Sequence, residues 1–560
     1  MQPGNHPPEF LPARKFTRRE LIKWGIVSGA TAMSGLRALR AVADGGSNLP
    51  AGPRTTPFVL ELLPGRGLPP TAQPIAPFPT LPDPATCVNP DGSTAFHVHG
   101  PRVVPPGTEH YLIHERPVAH VFHPTLPPNV LWGYDGQIPG PTFVARSGTP
   151  HLIRFVNDLP ANDPVGIGLP ITAIHRHGGF QAPENDGYPL DTFCSGQSRD
   201  YFYPNRPAGG LAQNEHSTQW YHDHSIDVTA ENVYRGLAGF YLNFDSLDTG
   251  NELDPPPALG LPSGEFDLGL VLQDRLFDAN GFLLYDSFDH NGFLGNKFLV
   301  NGLIQPFLSV ARRKYRFRVL NGSNARFYDL VLSNGQPFIA IGTDSNLLEH
   351  PVTVNSFRIG PAERVEVIVD FSQAALGQKI YLVNRLEQTD GRKPGDLVSP
   401  GTPLLQFFVN RDAPDPSRVP DTLRPVTEGP GVLLPQVRIQ RTFKFERSRG
   451  AWVINGEFFD ENRINADPQV GHPEIWTFQS GGGWTHPVHI HLSEFFVLLH
   501  GDSRLGPLDQ GRKDTLNVGA SYGDASVLIK FEEFLGRYVF HCHNIEHEDI
   551  RMMGQFEVRS

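Results

Sequence analysis

The chain has 560 residues, with 57 glycines, 54 prolines, three cysteines and a formal net charge of −12. That length exceeds what one hydrophobic core supports and predicts three or four domains. So acidic a balance argues against nucleic acid and anionic membrane surfaces as partners.

Residues 16–23 read Phe-Thr-Arg18-Arg19-Glu-Leu-Ile-Lys, and a weakly apolar stretch runs from Trp24 to Leu36 before the small residues Ala41-Val42-Ala43. A twin-arginine pair ahead of such a stretch marks export of an already folded protein. Residues 1–43 are therefore expected to be a twin-arginine signal peptide, and the mature chain to be periplasmic or secreted. The apolar run is too short and too rich in Gly and Ser to span a bilayer, so no membrane insertion is expected.

Residues 44–85 are Pro-rich and predicted to be extended. Short apolar alternations such as Tyr315-Arg316-Phe317-Arg318-Val319 and Arg364-Val365-Glu366-Val367-Ile368-Val369 recur between turn residues. They predict an all-β chain. Composition breaks at 246–263, which contains Asp254-Pro255-Pro256-Pro257, and at 411–436, which contains six prolines. The expected β domains are thus 86–245, 264–410 and 437–560, with 411–436 as a Pro-rich connector.

Four clusters carry the chemistry. They are His175-Arg176-His177, His222-Asp223-His224, His486-Pro487-Val488-His489-Ile490-His491 and His541-Cys542-His543, the last followed by His547 and Met552. On a strand, i and i+2 share a face, so His541 and His543 point one way and Cys542 the other. One tripeptide can then bind metal on both sides with a covalent path between the sites. His486 lies an odd number of residues from His489 and His491 and repeats that split. Cys542, His486, His547 and a weak Met552 form the ligand set of an electron-transferring copper. Zinc, which prefers four strong ligands, gains little from the Met. The pairs 175/177, 222/224, 489/491 and 541/543 supply eight imidazoles. Eight suit three coppers, two held by three His each and one by two His plus water. The pair His97/His99, the scattered His110, His114, His120 and His123, and His290 and His350 of the middle domain have no partner cluster and are read as ordinary histidines.

These clusters, with Gly136-Gln-Ile-Pro-Gly-Pro-Thr142, Ala230–Gly239, Tyr315–Asn324 and Ala362-Glu-Arg-Val365, resemble the three-domain multicopper oxidases of the bacterial spore-coat laccase, bilirubin oxidase and phenoxazinone synthase group. The resemblance covers nearly the whole mature chain. It implies three cupredoxin-like Greek-key β-barrel domains, the first and third supplying all copper ligands, and four coppers. It implies type 1 copper on His486, Cys542 and His547 with Met552 axial, and type 2 on His175 and His489. The type 3 pair falls to His177, His222, His224, His491, His541 and His543. It also places Glu548 and Asp186 near the oxygen-reducing site, where protons are consumed. Arg176 stands where the family often has Trp or Leu, and its side chain is expected to point away from the metal face.

The implied reaction is four one-electron oxidations of a small donor coupled to reduction of dioxygen to two waters. The electron is expected to enter through the exposed edge of a type 1 histidine, to pass Cys542, and to depend on loops over His486 and His547 such as 500–512. Of four methionines, Met1 and Met33 fall in the export segment, leaving Met552 and Met553. The absence of a Met-rich stretch tilts the donor toward phenols, aminophenols or bilirubin-like pigments and away from Cu(I). Oxidation of Mn(II), Fe(II) or Cu(I) is the alternative, and a copper-free cupredoxin scaffold the third reading, opposed by the complete ligand set. A monomer is expected. Cys87 and Cys194 are either a disulfide of an exported protein or two buried thiols.

Overall fold

A computed structural model describes residues 49–448, 450–502 and 505–560; the expected export signal at 1–43 lies outside these residues. Among them the large sheets come in three pairs. The first pair has the orders Ser198–Tyr203, His151–Asn157, Glu109–His120, Asn129–Tyr134 and Gly140–Arg146, Ala238–Phe244, Thr218–Asp223, Ile174–His177. The second places Asp267–Phe277, Lys314–Asn321 and Arg364–Asp370 at the centre of one sheet and Leu397–Arg411 beside Lys379–Leu386 in the other. The third joins Ile439–Ser448, Pro473–Ser480 and Ala525–Lys530, and faces them with Thr515–Gly519, Thr485–Ile490, Gly536–Cys542 and Met553–Val558. Each unit mixes antiparallel ladders with parallel pairs, such as Glu109 to Glu115 on His151 to Asn157, so strands distant in sequence lie side by side.

Each pair of sheets closes on its own apolar core: Tyr111, Ile153, Phe155 and Tyr221 in the first, Phe317, Val367 and Phe407 in the second, Trp476, Phe478 and Phe540 in the third. Several strands are buried on both faces, and two of them position the site. In Thr218–Asp223 the side chain of Tyr221 enters the first core, while Trp220 packs against Val271, Leu320 and Ala362 of the second unit. In Gly536–Cys542 the side chains of Tyr538, Phe540 and Cys542 enter the third core, while Val539 packs on Tyr188 and Ile226 of the first unit. Period-two alternation therefore aims one set of side chains into a core and the other into an interface between units.

The 49–85 segment is extended and in part buried. Glu61 bridges Phe307, Thr71 bridges Thr142 and Ile75 bridges His110, with Leu62 sunk into the second core. Cys87 and Cys194 are bonded, Cα atoms 5.3 Å apart, which resolves the two readings left open in favour of the disulfide. At the boundary of the first two units Arg316 and Arg318 flank Glu366, with Asp248, Asp267, Ser217 and Thr218 taking the remaining guanidinium hydrogens.

Candidate metal centres

Strand Gly536–Cys542 pairs with Thr485–Ile490 so that Val488 opposes Cys542 and His489 opposes His541. The predicted split follows: Cys542 lies on the core face, His541 on the interface. Cys542 Sγ is 3.4 Å from His486 Nδ1 and 3.5 Å from His547 Nδ1, and the two nitrogens are 3.2 Å apart. His547 reaches this point from the helix Ile545–Asp549, which begins directly after the strand. Burial pushes the Cys542 thiol well up and the His486 imidazole down to about 3. A buried thiol and two neutral imidazoles converging on one point suit a soft cation, whose binding displaces the thiol proton. Met552 belongs to the same buried cluster as Cys542, whereas Met553 packs with Tyr188 and Val539 on the opposite face. Met552 is thus the methionine on the sulfur side.

The eight paired histidines meet where the first and third units touch. His175 opposes His222 across the ladder of Ile174–His177 and Thr218–Asp223. The rings of His175 and His491 stack at 3.8 Å, those of His177 and His489 at 3.6 Å. His541 Nε2 lies 3.2 Å from both His224 Nε2 and His491 Nε2. His543 is 5.2 Å from His177 and 5.4 Å from His222, ring centre to ring centre.

The outer nitrogens are tied down. His175 Nδ1 bonds Asp186 O at 2.5 Å, His222 Nδ1 bonds Asp223 O at 2.8 Å, and His489 Nδ1 bonds Asp514 O at 2.8 Å. The Nε2 atoms of His175, His222 and His489 are left buried with no protein partner. His177 is turned the other way, Nε2 on Asp514 and Nδ1 unpartnered. Burial and mutual repulsion hold His222 down to about 3, and burial holds His224 down to about 4, so these rings are neutral. Inward-facing lone pairs without donors are costly unless cations take them. The donor set therefore fits copper, with the orientation of His175, His177, His222, His489 and His491 fixed by the groups behind them.

Both predicted carboxylates lie behind histidines. Glu548 is 3.1 Å from His541 Nδ1 and 3.5 Å from His224 Nδ1. Burial opposes its charge, but His541 and His224 draw the carboxyl down to about 2. Asp186 Oδ2 is 2.6 Å from His491 Nδ1, and burial pushes its carboxyl well up despite the bond from Gln181. A third carboxylate escaped the sequence reading. Asp514 Oδ1 is 3.0 Å from His177 Nε2, and its carboxylate holds the buried guanidinium of Arg364 through bonds of 2.8 and 2.5 Å. No histidine adjoins Asp514 in sequence, so spacing alone held no signal for it. Arg176 points away as expected, its guanidinium over the rings of Tyr203 and Tyr241.

Two expectations require correction. The edges of the sulfur-side histidines are not exposed: His486 and His547 are both 0% accessible. The Trp452 indole lies 3.8 Å from the His547 ring and 4.5 Å from Trp484, which lines a cavity. That cavity is walled by 289–294 and 389–392 and not by the expected loop 500–512, of which 503 and 504 are not described. His500 instead stacks on Tyr522 and bonds Asp509, facing a separate cavity beside Arg358 and Lys513. The histidines read as ordinary behave so: His97 bonds Asp191, His114 bonds Asp158 and His350 bonds the Asp421 carbonyl. Among the described residues every group of three potential metal donors belongs to the two centres above.

Models of the multicopper oxidase family match residues 120–245, 285–396 and 433–560. The bilirubin oxidase of Albifimbria verrucaria is 36% identical, the alignment covering 80% of this chain and 76% of that protein. The laccase of Bacillus subtilis (strain 168) is 34% identical over 79% of this chain and 92% of its own. Among solved structures, the laccase from Pediococcus acidilactici Pa5930 superposes with a TM-score of 0.71 at 25% identity, covering 91% of this chain and 95% of that one. The three paired-sheet units correspond to the cupredoxin-like domains of such proteins.

Proposed function

The chain belongs to the multicopper oxidase family, and on that premise we propose that it holds four coppers in the two centres described and oxidises small organic donors. It is a laccase-like oxidase with dioxygen as electron acceptor. The observation that carries the finer reading is the His541-Cys542-His543 strand. Its alternate side chains enter a Cys–His–His cluster on one face and an eight-imidazole cluster on the other. His486, Cys542, His547 and Met552 would hold the type 1 copper, and His175 and His489 the type 2. His177, His222, His224, His491, His541 and His543 would hold the type 3 pair. When bound, the coppers supply one-electron storage and reduction of dioxygen to two waters. The chain's own part is to orient each imidazole, to exclude water from the clusters and to carry the electron from Cys542 to its neighbours. Glu548, 3.1 Å from His541 Nδ1, and Asp186, hydrogen-bonded to His491 Nδ1, would handle the protons that dioxygen reduction consumes.

An organic donor is favoured over Cu(I) because the sequence has no Met-rich stretch to bind that ion. The experiment is Cys542→Ser. Purified wild type should contain four coppers, absorb toward the red end of the visible spectrum, and consume oxygen with phenols. The variant should lose the colour and the activity. A colourless wild type, or a variant that still turns over phenols, would sink the reading. The Cys87–Cys194 bond is at home in an oxidising compartment and supports export through the twin-arginine signal. Changing Arg18-Arg19 to Lys-Lys should strand the precursor in the cytoplasm, and unimpaired export would refute that assignment.

A further inference from the structure

The cavity beside Trp484 has a volume of about 240 Å³ and is open to solvent. That is near the lower end of the roughly 300–1,000 Å³ of ligand pockets, room for one substituted aromatic ring inside the mouth. Its floor is set by two glycines in contact: a Cβ on Gly391 would lie 2.4 Å from the Gly292 carbonyl oxygen. Behind that floor the Asn291 carbonyl faces His547. Phe293 and Trp484 are the aromatic groups of the wall, and Trp484 lies 5.7 Å from the His547 ring.

The mouth carries two cations. Arg392 lies over Trp484 with its guanidinium 4.9 Å from the ring centre, and Arg447 lies over Trp452 at 5.5 Å. Both are exposed, and among the described residues neither meets a carboxylate within salt-bridge distance. Arg447 spends one hydrogen on Asn291 Oδ1 at 3.2 Å. The two carboxylates of the wall are differently placed. Asp289 accepts from the Asn291 N–H at 3.1 Å and Asp390 from the Arg392 N–H at 2.9 Å. Burial, aided by Asp286 and Asp390, pushes the Asp289 carboxyl up to about 6. The two exposed guanidiniums thus lie above the two indoles that separate solvent from His547.

We propose that this cavity is the donor site and that it selects single-ring phenols bearing a carboxylate or sulfonate, which Arg392 and Arg447 bind while the ring lies against Trp484. This rests on the laccase-like reading. A guanidinium matches a planar oxyanion in geometry and charge. The bound phenol loses one electron through the indoles toward the His486–Cys542–His547 centre, and its hydroxyl proton passes to water at the open mouth.

The test uses the copper-loaded enzyme and 3,4,5-trimethoxybenzoate, which has no hydroxyl to oxidise. Calorimetric titration should show saturable binding to wild type, at least ten-fold weaker binding to Arg392→Gln/Arg447→Gln, and partial recovery in the double Lys variant. In parallel, the ratio of kcat/KM for syringate to that for 2,6-dimethoxyphenol, the same ring without its carboxylate, should fall at least ten-fold in the Gln variant. Equal affinity in wild type and variant, no saturable binding to wild type, or an unchanged ratio each overturns the proposal. Absence of oxygen uptake by wild type with either phenol would instead overturn the laccase-like reading itself.

Discussion

Replacing Asp514 by Asn tests whether the trinuclear histidines depend on groups outside the ligand set. Asp514 and Arg364 are both fully buried, and the next carboxylate to Arg364, that of Asp344, is 3.9 Å away. Asn keeps one acceptor and removes the charge. Breaking a buried pair from one side costs about 3–5 kcal/mol, within the roughly 5–15 kcal/mol that holds a protein folded, so the variant should still fold. The bond to His177 Nε2 also weakens. Loss of such a supporting partner lowers metal affinity about 10–100-fold, or about 1.4–2.8 kcal/mol. The His486–Cys542–His547 cluster makes no contact with Asp514. The expected result is therefore a protein that keeps its visible colour but yields copper to a graded chelator more readily than wild type, with oxygen uptake falling in step. Adding Arg364→Met should restore most of the thermal stability without restoring the copper, which separates the ion pair from the orientation of His177. Full copper retention with unchanged turnover in Asp514→Asn would refute the reasoning.

Two further outcomes follow from buried carboxylates. Between Arg316 and Arg318 the Glu366 carboxyl is drawn down from 4.5 to about 2, against the effect of burial. Its folded value lies below its unfolded one, so its contribution is complete above pH 4.5 and is lost as pH falls through 2; the shift corresponds to about 3 kcal/mol. Denaturant titrations between pH 5 and 2, at pH values set around those two figures, should show a shallower loss of stability in Glu366→Gln than in wild type, where other paired carboxylates such as Glu548 contribute to both curves, and parallel curves would discard the assignment. Glu548→Gln should keep the colour and slow turnover on the roughly 10²-fold scale of general acid–base catalysis; turnover equal to wild type across the pH range would remove its proton role.

The metal donors were legible because their signal is local. An i, i+2 pair needs only a strand to place both rings on one face, and the chain supplies five such pairs, four of which converge. Met552 was told from Met553 by its ten-residue spacing from Cys542, since the helix Ile545–Asp549 interrupts any strand parity between them. Asp514 was illegible because its partner His177 is 337 residues away and neither sequence neighbourhood names the other. Trp452 was missed for the same reason: its indole covers His547 only once Ala451–Ile454 has joined the edge of the third unit's sheet. The cysteine pair stayed open because bonding depends on Cα separation, which no spacing reveals.

The middle unit shows why the ligand census alone understates the site. It supplies none of the clustered histidines, yet it grips the segment that orients two of them. Asp344 accepts from the N–H groups of Asp514 and Thr515 at 3.0 and 3.2 Å, and Lys513 lies 3.2 Å from Asp344 and 3.0 Å from Glu363. Arg364 holds the Asp514 side chain from the same side. The segment thus fixed presents its carboxylate to His177 of the first unit and its carbonyl to His489 of the third. The rings of those two histidines stack face to face at 3.6 Å across the boundary of the first and third units. A clamp from the second unit thus reaches both through one buried loop. The middle unit thereby helps set the geometry of the eight-histidine cluster.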